Sequence, residues 1–374
     1  MPTRHTGISD KADDSLVGKV LAGKYRIRDV LARGGMGRIY RAEQIPLGRT
    51  VVIKVLSLRF AVEEDPGFKD RFYLEAAVLA KLKHQNTVTV FDYGMADDET
   101  LYMVMEYVEG RTLAQVLRTE GPLAPIRALK FAYEIARSLD EAHANGIIHR
   151  DLKPSNVMVE PTDEGESIKV LDFGIVKVLE DTGIDTITRP DRMVGSPRYM
   201  APEQIRKGDI DGRTDIYAVG VMLYEMITKH PPFKGKTSVK TLMAHVQDPV
   251  PPMAEKTDQS IPLPVEQLVL RCLQKKPENR FPDTAAFKRA IRSVLIDIGA
   301  TPMDTLDISG EYSAPTEPLS PDGDSTTLSR VPPDMRRAPR WWPRWLTFLF
   351  VGLVVLLFAV SAVAGWITFR SYQG

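Results

Sequence analysis

The spacing of apolar residues changes once along this chain, near Gly110, and that change limits the folds open to it. Before it, KYRIRDVLA, GRIYRAEQ, TVVIKVLSL, VTVFDYGM and LYMVMEYVE show the β-branched and aromatic alternation of strands. One helical segment, DRFYLEAAVLAKLKH, is set among them. After Gly110, the stretches RALKFAYEIARSLDEAHANG, RTDIYAVGVMLYEMITK and LPVEQLVLRCLQKK repeat apolar residues at helical spacing. From Tyr25 to about Leu295 the expectation is therefore an α+β arrangement without internal repeat: a small strand-rich lobe, then a larger helical one.

Composition permits this and excludes some partners. The 374 residues are 43% hydrophobic and 26% charged, enough for two lobes plus extensions. Lys plus Arg and Asp plus Glu balance at 49 each, so no global charge points to nucleic acid. The single cysteine, Cys272, can form no disulfide within the chain, which fits a reducing compartment; in the apolar run VLRCLQ it reads as a buried small hydrophobe.

The ends differ from the middle. Residues 1–20 are polar, lack the apolar run of a signal peptide and read as a disordered lead-in. Residues 298–344 are rich in Pro, Ser, Thr and acids and read as a disordered linker next to a membrane. Leu346 to Phe369 carries no charged residue, and as a helix at 1.5 Å per residue it would be about 36 Å long. A transmembrane helix over 345–369 is expected, with Trp341, Trp342, Trp345 and Trp366 near its ends. Arg336, Arg337, Arg340 and Arg344 precede the span and Arg370 alone follows it, which puts the N-terminal bulk in the cytoplasm and residues 370–374 outside. The expected location is the cell membrane, with a single pass.

The chemistry lies in short motifs in a fixed order. LARGGMGRIY, with Gly34, Gly35 and Gly37, suits either a phosphate-covering loop or an ordinary hairpin turn, and Ala32 stands where the former would carry its first glycine. Lys54 follows in the strand VVIK, and Glu75 in the next helix offers a carboxylate that could fix it. HRDLKPSN then groups a carboxylate at Asp151, a cation at Lys153 and an amide oxygen at Asn156, suited to base, γ-phosphate clamp and metal ligand. LDFG adds an acidic metal ligand, Asp172, after an apolar strand. Each motif alone has an ordinary structural origin; all of them in this order point to a loop that holds phosphates.

On these residues, Lys24 to about Ile296 resembles a eukaryotic-type (Hanks-type) Ser/Thr protein kinase, and the whole layout resembles the membrane-anchored bacterial members. The resemblance implies a two-lobed fold, with residues 21–108 as the N-lobe and 109–297 as the C-lobe. It implies ATP with Mg²⁺, Mn²⁺ being allowed, and protein Ser or Thr hydroxyls as acceptors. Asp151 would accept the acceptor's proton, Asn156 and Asp172 would bind the metal, Lys54 with Glu75 would hold the α/β-phosphates, and Lys153 the γ-phosphate. Lys153 resembles the Ser/Thr branch, since tyrosine kinases carry Arg or Ala nearby. The nucleotide would be covered by Leu31, Ala32, Arg33, Gly34, Gly35, Met36, Gly37, Arg38 and Ile39. Val52, Met105, Met158 and Leu171 would complete the adenine slot begun by Leu31 and Ile39, with backbone groups of Glu106 and Val108 meeting the base edge.

By the same resemblance GSPRYMAPE docks substrate, Glu203 pairs with Arg280, and Asp215 braces the catalytic loop. His149 reads as structural, and His84, His143, His230 and His245 lack metal-ligand spacing. Arg150 could pair with a phosphate on Thr182, Thr186 or Thr188, the last two favoured, so autophosphorylation in membrane signalling is expected. A homodimer is allowed. The departures are Ala32, Val52 in place of the usual Ala, and Ser196 where Thr is commoner. A methyl at position 32 is harmless if the residue is extended and costs roughly 1–2 kcal/mol if it must be left-handed. A catalytically dead scaffold of the same fold is the alternative, against which stand Lys54, Asp151 and Asp172, all present; a small-molecule kinase is more distant, because GSPRYMAPE is protein-substrate machinery.

Overall fold

Alternation along the first strands buries both faces of one sheet. The computed structural model describes residues 16–34, 37–57, 68–96, 100–163, 165–173 and 197–300. In it β1 (Val20–Leu21), β2 (Tyr25–Gly34), β3 (Gly37–Gln44), β4 (Arg49–Ser57), β5 (Val90–Met95) and β6 (Thr100–Glu106) make an antiparallel sheet in the order β1-β2-β3-β4-β6-β5. Ile53 pairs with Val104 and Val55 with Tyr102, and all four pack with Tyr25, Ile27 and Tyr40 on one face. Their neighbours Leu56, Leu101, Met103 and Met105 turn to the other face, where helix α1 (Phe68–Leu79) adds Phe72, Ala76 and Leu79. The two-residue period sends successive side chains to opposite faces, so Lys54, paired with Met103, lies in the row facing the helical part.

Helix α1 stops at Leu79, five residues before the periodic stretch does. The cause is tertiary. Glu141 accepts hydrogen bonds from the N–H groups of Lys83 (3.0 Å) and His84 (2.9 Å), drawing the chain out of the helix.

The helical part consists of α2 (Leu113–Glu120), α3 (Pro125–Ala144), α4 (Pro202–Arg206), α5 (Gly212–Thr228), α6 (Ser238–Gln247), α7 (Leu263–Cys272) and α8 (Thr284–Asp297). A small sheet of β7 (Arg111–Thr112), β8 (Val157–Thr162) and β9 (Gly165–Val170) belongs with it. Helices α2, α6 and α8 lie outside the three long periodic stretches, yet each starts at a side-chain cap: Thr112, Thr237 and Asp283 accept from the N–H of Gln115, Lys240 and Ala286. In α5, 14 of 17 residues are buried, so it is a central helix rather than an amphipathic surface one. A Cβ on Gly220 would lie 2.4 Å from that of Cys272, so the glycine lets α5 approach α7. Cys272 is fully buried, which pushes its thiol pKa up and leaves it inert, as the sequence suggests.

Among the described residues no helix is long and apolar enough to cross a membrane. Ordered structure reaches into both ends expected to be disordered: the Gly18 N–H donates to the Ile27 carbonyl and Val20 opens β1, while the N–H groups of Ile298 and Ala300 cap α8. The expected span 345–369, the lead-in before residue 16, the linker from residue 301, and Thr182, Thr186, Thr188 and Ser196 lie outside the described residues.

Candidate active site

The β2–β3 hairpin sits over β4 through a close approach at Gly37. A Cβ there would lie 2.1 Å from the Val55 carbonyl oxygen, so packing alone demands glycine. Ala32 lies in β2 opposite Ile39, and Ile39 pairs with Lys54 across β3 and β4. Ala32 is exposed and extended, which makes its methyl harmless. Leu31, Ala32, Arg33 and Arg38 are likewise strand residues of this hairpin, Gly34 closes β2, and Gly35 and Met36 lie outside the described residues. Val52 pairs with Met105, and Val52, Val108 and Leu171 are partly buried against the cluster that contains Met105. Leu31 is exposed, and Ile39 and Met158 of β8 are half-buried. The Glu106 N–H already donates to the Thr89 carbonyl at 2.9 Å, which leaves at most its carbonyl for a base edge.

The charged groups converge below this slot. Lys54 Nζ donates to Asp172 Oδ1 at 2.9 Å, a contact between residues 118 positions apart. Glu75, the partner that the resemblance implied, belongs to α1; its side chain lies outside the described residues. In the loop 149–156 Lys153 Nζ donates to Asp151 Oδ2 at 2.6 Å, and Asn156 Nδ2 donates to the Asp151 carbonyl at 3.0 Å. With its amide nitrogen so used, Asn156 keeps its oxygen as an acceptor for a cation. Asn156 and Asp172 are tied together through the backbone, because the Leu171 N–H donates to the Asn156 carbonyl at 2.8 Å.

This loop is held from below. Asp215, buried at the start of α5, accepts from the N–H of His149 (2.8 Å) and of Arg150 (3.0 Å), and its Oδ2 meets His143 Nε2 at 2.8 Å. Burial, the largest single influence, would raise its carboxyl; the hydrogen bonds and electrostatic effects of His143 and His149 together outweigh it and the pKa is lowered. Burial pushes the His149 ring below its usual range, so it is neutral and donates Nε2–H to the Leu171 carbonyl at 2.9 Å. Phe173 stacks on that ring with centroids 4.7 Å apart. Arg150 and Asp172 both have left-handed backbone, φ 61° and 48°, the kind of strain that this packing must hold in place. Gln204 adds a hydrogen bond to the Arg150 carbonyl. Glu203 and Arg280 pair twice at 2.8 Å, and that guanidinium holds the Glu203 carboxyl low although burial opposes it.

The donor set suits a hard cation bound together with phosphates. Among the described residues no three His, Cys, Asp or Glu side chains form a metal cage. One carboxylate, Asp172, and one amide oxygen, Asn156, are what a Mg²⁺ ion takes from protein when phosphate and water fill its other positions.

A family model described as the protein kinase domain matches residues 25–290. The chain belongs to the protein kinase family. This kinase domain is 41% identical over 284 residues to the serine/threonine-protein kinase pkn3 of Myxococcus xanthus, covering 75% of this chain and 52% of the relative. It is 40% identical over 274 residues to the serine/threonine-protein kinase PknB of Mycobacterium tuberculosis, covering 72% of this chain and 42% of PknB. The chain thus spans about half the length, or less, of these relatives. Among solved structures, a cysteine-to-alanine mutant of the PknI kinase domain of M. tuberculosis superposes with a TM-score of 0.57 at 27% identity, over 74% of this chain and 97% of that one. A Rad53 fragment in complex with AMP-PNP gives 0.59 at 26%, over 71% and 64%.

Several groups that support the kinase site escape a reading of the sequence. His143 lacks any motif, yet it partners Asp215. Glu134 accepts from Asn86 Nδ2 (2.8 Å), Ser167 Oγ (3.0 Å) and the Ile168 N–H (2.8 Å), which fixes β9 ahead of Asp172. Lys169 pairs with Glu106 at 2.9 Å and so links β9 to the end of β6. Charge alternating along a strand signals exposure, and only the tertiary fold shows which charges meet.

Proposed function

We propose that this chain is an ATP-dependent protein-serine/threonine kinase. The observation that carries it is the convergence of Lys54 with Asp172 across 118 positions at 2.9 Å and of Asp151 with Lys153 and Asn156 inside one loop at 2.6 and 3.0 Å, the two groups being joined by the Leu171 N–H to the Asn156 carbonyl at 2.8 Å. Asp151 takes the proton of the acceptor hydroxyl, and Lys153, held against it, positions the γ-phosphoryl group. Lys54 holds the α/β-phosphates from β4, under the hairpin closed by Gly37. Mg²⁺, held by Asp172 and Asn156, would supply neutralisation of phosphate charge. The names of pkn3 and PknB support Ser/Thr specificity, and the AMP-PNP complex of the Rad53 fragment supports the nucleotide.

The reading extends to control and place. Autophosphorylation on Thr186 and Thr188 pairs new charge with Arg150 and orders the activation segment. The uncharged run Leu346 to Phe369 anchors the chain in the cell membrane by a single span, with the kinase domain cytoplasmic, where it signals by phosphorylating protein partners. A homodimer is compatible with this. Incubating the chain with Mg-ATP and mapping phosphosites by mass spectrometry tests activity and self-modification together. Absence of any ATP-dependent phosphate on Ser or Thr would remove the enzyme reading in favour of a scaffold.

A further inference from the structure

Beside Asp151 lies a second cleft, about 360 Å³ in volume, bordered by Arg118 of α2, Lys153 of the catalytic loop, Arg198 and Tyr199 ahead of α4, and Glu225 and Lys229 at the end of α5. Its charge is lopsided. Four cations face one carboxylate, and that carboxylate is already engaged: Glu225 Oε2 accepts from the Tyr199 hydroxyl at 2.5 Å, and burial raises its pKa. Lys153 is engaged too, by Asp151. Arg198 lies near enough to Glu225 for its charge to oppose the effect of burial on that carboxyl, and Arg118 and Lys229 form no ion pair with a carboxylate among the described residues.

Helix ends account for part of this. Arg118 in the last turn of α2 and Lys229 at the C-cap of α5 each complement a helix C-terminus. Neither helix requires the two to converge on one cleft, and Arg198 sits on no helix end. Like charges gathered around a concave surface raise its potential and call for an anionic occupant.

The position says which occupant. A substrate hydroxyl delivered to Asp151 brings its flanking residues along the wall formed by the catalytic loop. In extended chain at about 3.4 Å per residue, a side chain two positions from the acceptor falls about 7 Å away, inside a cleft of this size. Resting on the protein kinase reading above, we infer that this cleft selects protein substrates carrying an Asp or Glu side chain close to the acceptor Ser or Thr, read by Arg118, Arg198 and Lys229.

The test uses the purified full chain and peptides that share one Thr acceptor and differ only in flanking residues: Asp, the neutral isostere Asn, or Lys. The expected result is kcat/KM about tenfold higher for the Asp peptide than for the Asn peptide, equivalent to 1.4 kcal/mol, carried by KM and shrinking at high salt. In the double variant Arg118→Gln/Lys229→Gln that ratio falls to within about threefold of one, again through KM. A preference for the Lys peptide, which would mean that Glu225 governs the cleft, overturns the proposal, as does a variant that keeps the Asp preference. Turnover of the Asn peptide and self-phosphorylation report on the kinase reading separately. Should both be absent, fluorescence anisotropy of labelled peptides still decides: tighter Asp-peptide binding that the double variant loses supports the cleft, and equal affinities for Asp and Asn peptides overturn it.

Discussion

Asp151 and Asp172 carry the same functional group, and only their neighbours separate their roles. The Asp151 carboxylate accepts from a cation at 2.6 Å, and its backbone carbonyl accepts from the Asn156 amide at 3.0 Å, an arrangement suited to receiving a proton beside a transferring phosphoryl group. Asp172 meets Lys54 across the lobes at 2.9 Å and follows the end of β9, where its carboxylate would help to hold a metal. Asp151→Asn should therefore lower turnover about a thousandfold, within the range for loss of a general base, while thermal unfolding is unchanged. Autophosphorylation of that variant at the wild-type rate would remove the role given to Asp151. Ala32→Gly should leave turnover within about tenfold, because Ala32 is extended and exposed in β2. A rise beyond about a hundredfold, near 2.7 kcal/mol, would show that the methyl obstructs the nucleotide. These residues were legible in the sequence because their charges crowd one loop or follow one strand. The Lys54–Asp172 contact and the His143–Asp215 pair were not, since each joins residues that only the packed lobes bring together.

At the scale of elements, buried charges lock the helical part together. The Arg280 side chain is fully buried and that of Glu203 8% exposed, and the pair ties α4 to the segment before α8. Removing one partner leaves the other charge uncompensated, so Glu203→Gln should cost about 3–5 kcal/mol, read as a lower urea midpoint at unchanged slope. His245 on α6 gives a second test. Its ring lies between Phe233 and Tyr217, whose hydroxyl donates to Nδ1 at 2.9 Å, and burial, with Lys275 as a lesser cause, lowers its pKa from 6.5 to about 4. Because the unfolded ring takes up its proton first, this contribution is present above the unfolded value of 6.5 and is lost as pH falls towards 4. Near pH 5.5 His245 alone should make the protein less stable by about 1 kcal/mol than at pH 7.5. Urea unfolding at both values should show that difference reduced by the same amount in His245→Gln; an unchanged difference would mean the ring is not held neutral. Strands and long helices were readable from period alone, whereas the end of α1 was not, because Glu141 of α3 captures the N–H groups that would have continued it.

At the scale of the whole molecule, the proposed anchor turns a solution reaction into a surface one. On this proposal the Pro-, Ser- and Thr-rich residues 301–344 act as a linker, and about forty such residues would give a root-mean-square reach of roughly 35 Å, so anchored kinase domains would share a thin layer of cytosol. Confinement to that layer raises the concentration of one copy seen by another without any new contact. Phosphorylation of one copy by another should then be favoured at the membrane. A fragment ending near Ser329 should be soluble and catalytically competent, and its initial rate of self-phosphorylation per molecule should rise in proportion to its concentration. The full chain in lipid vesicles should reach the same labelling at a much lower bulk concentration, and diluting the vesicles at constant surface density should leave its rate unchanged, since the local concentration is set by the surface. The two dilution series separate the alternatives. If the fragment's rate per molecule is independent of concentration and equals that of the anchored chain, each molecule modifies itself, and confinement then contributes nothing to activation even where the span is intact.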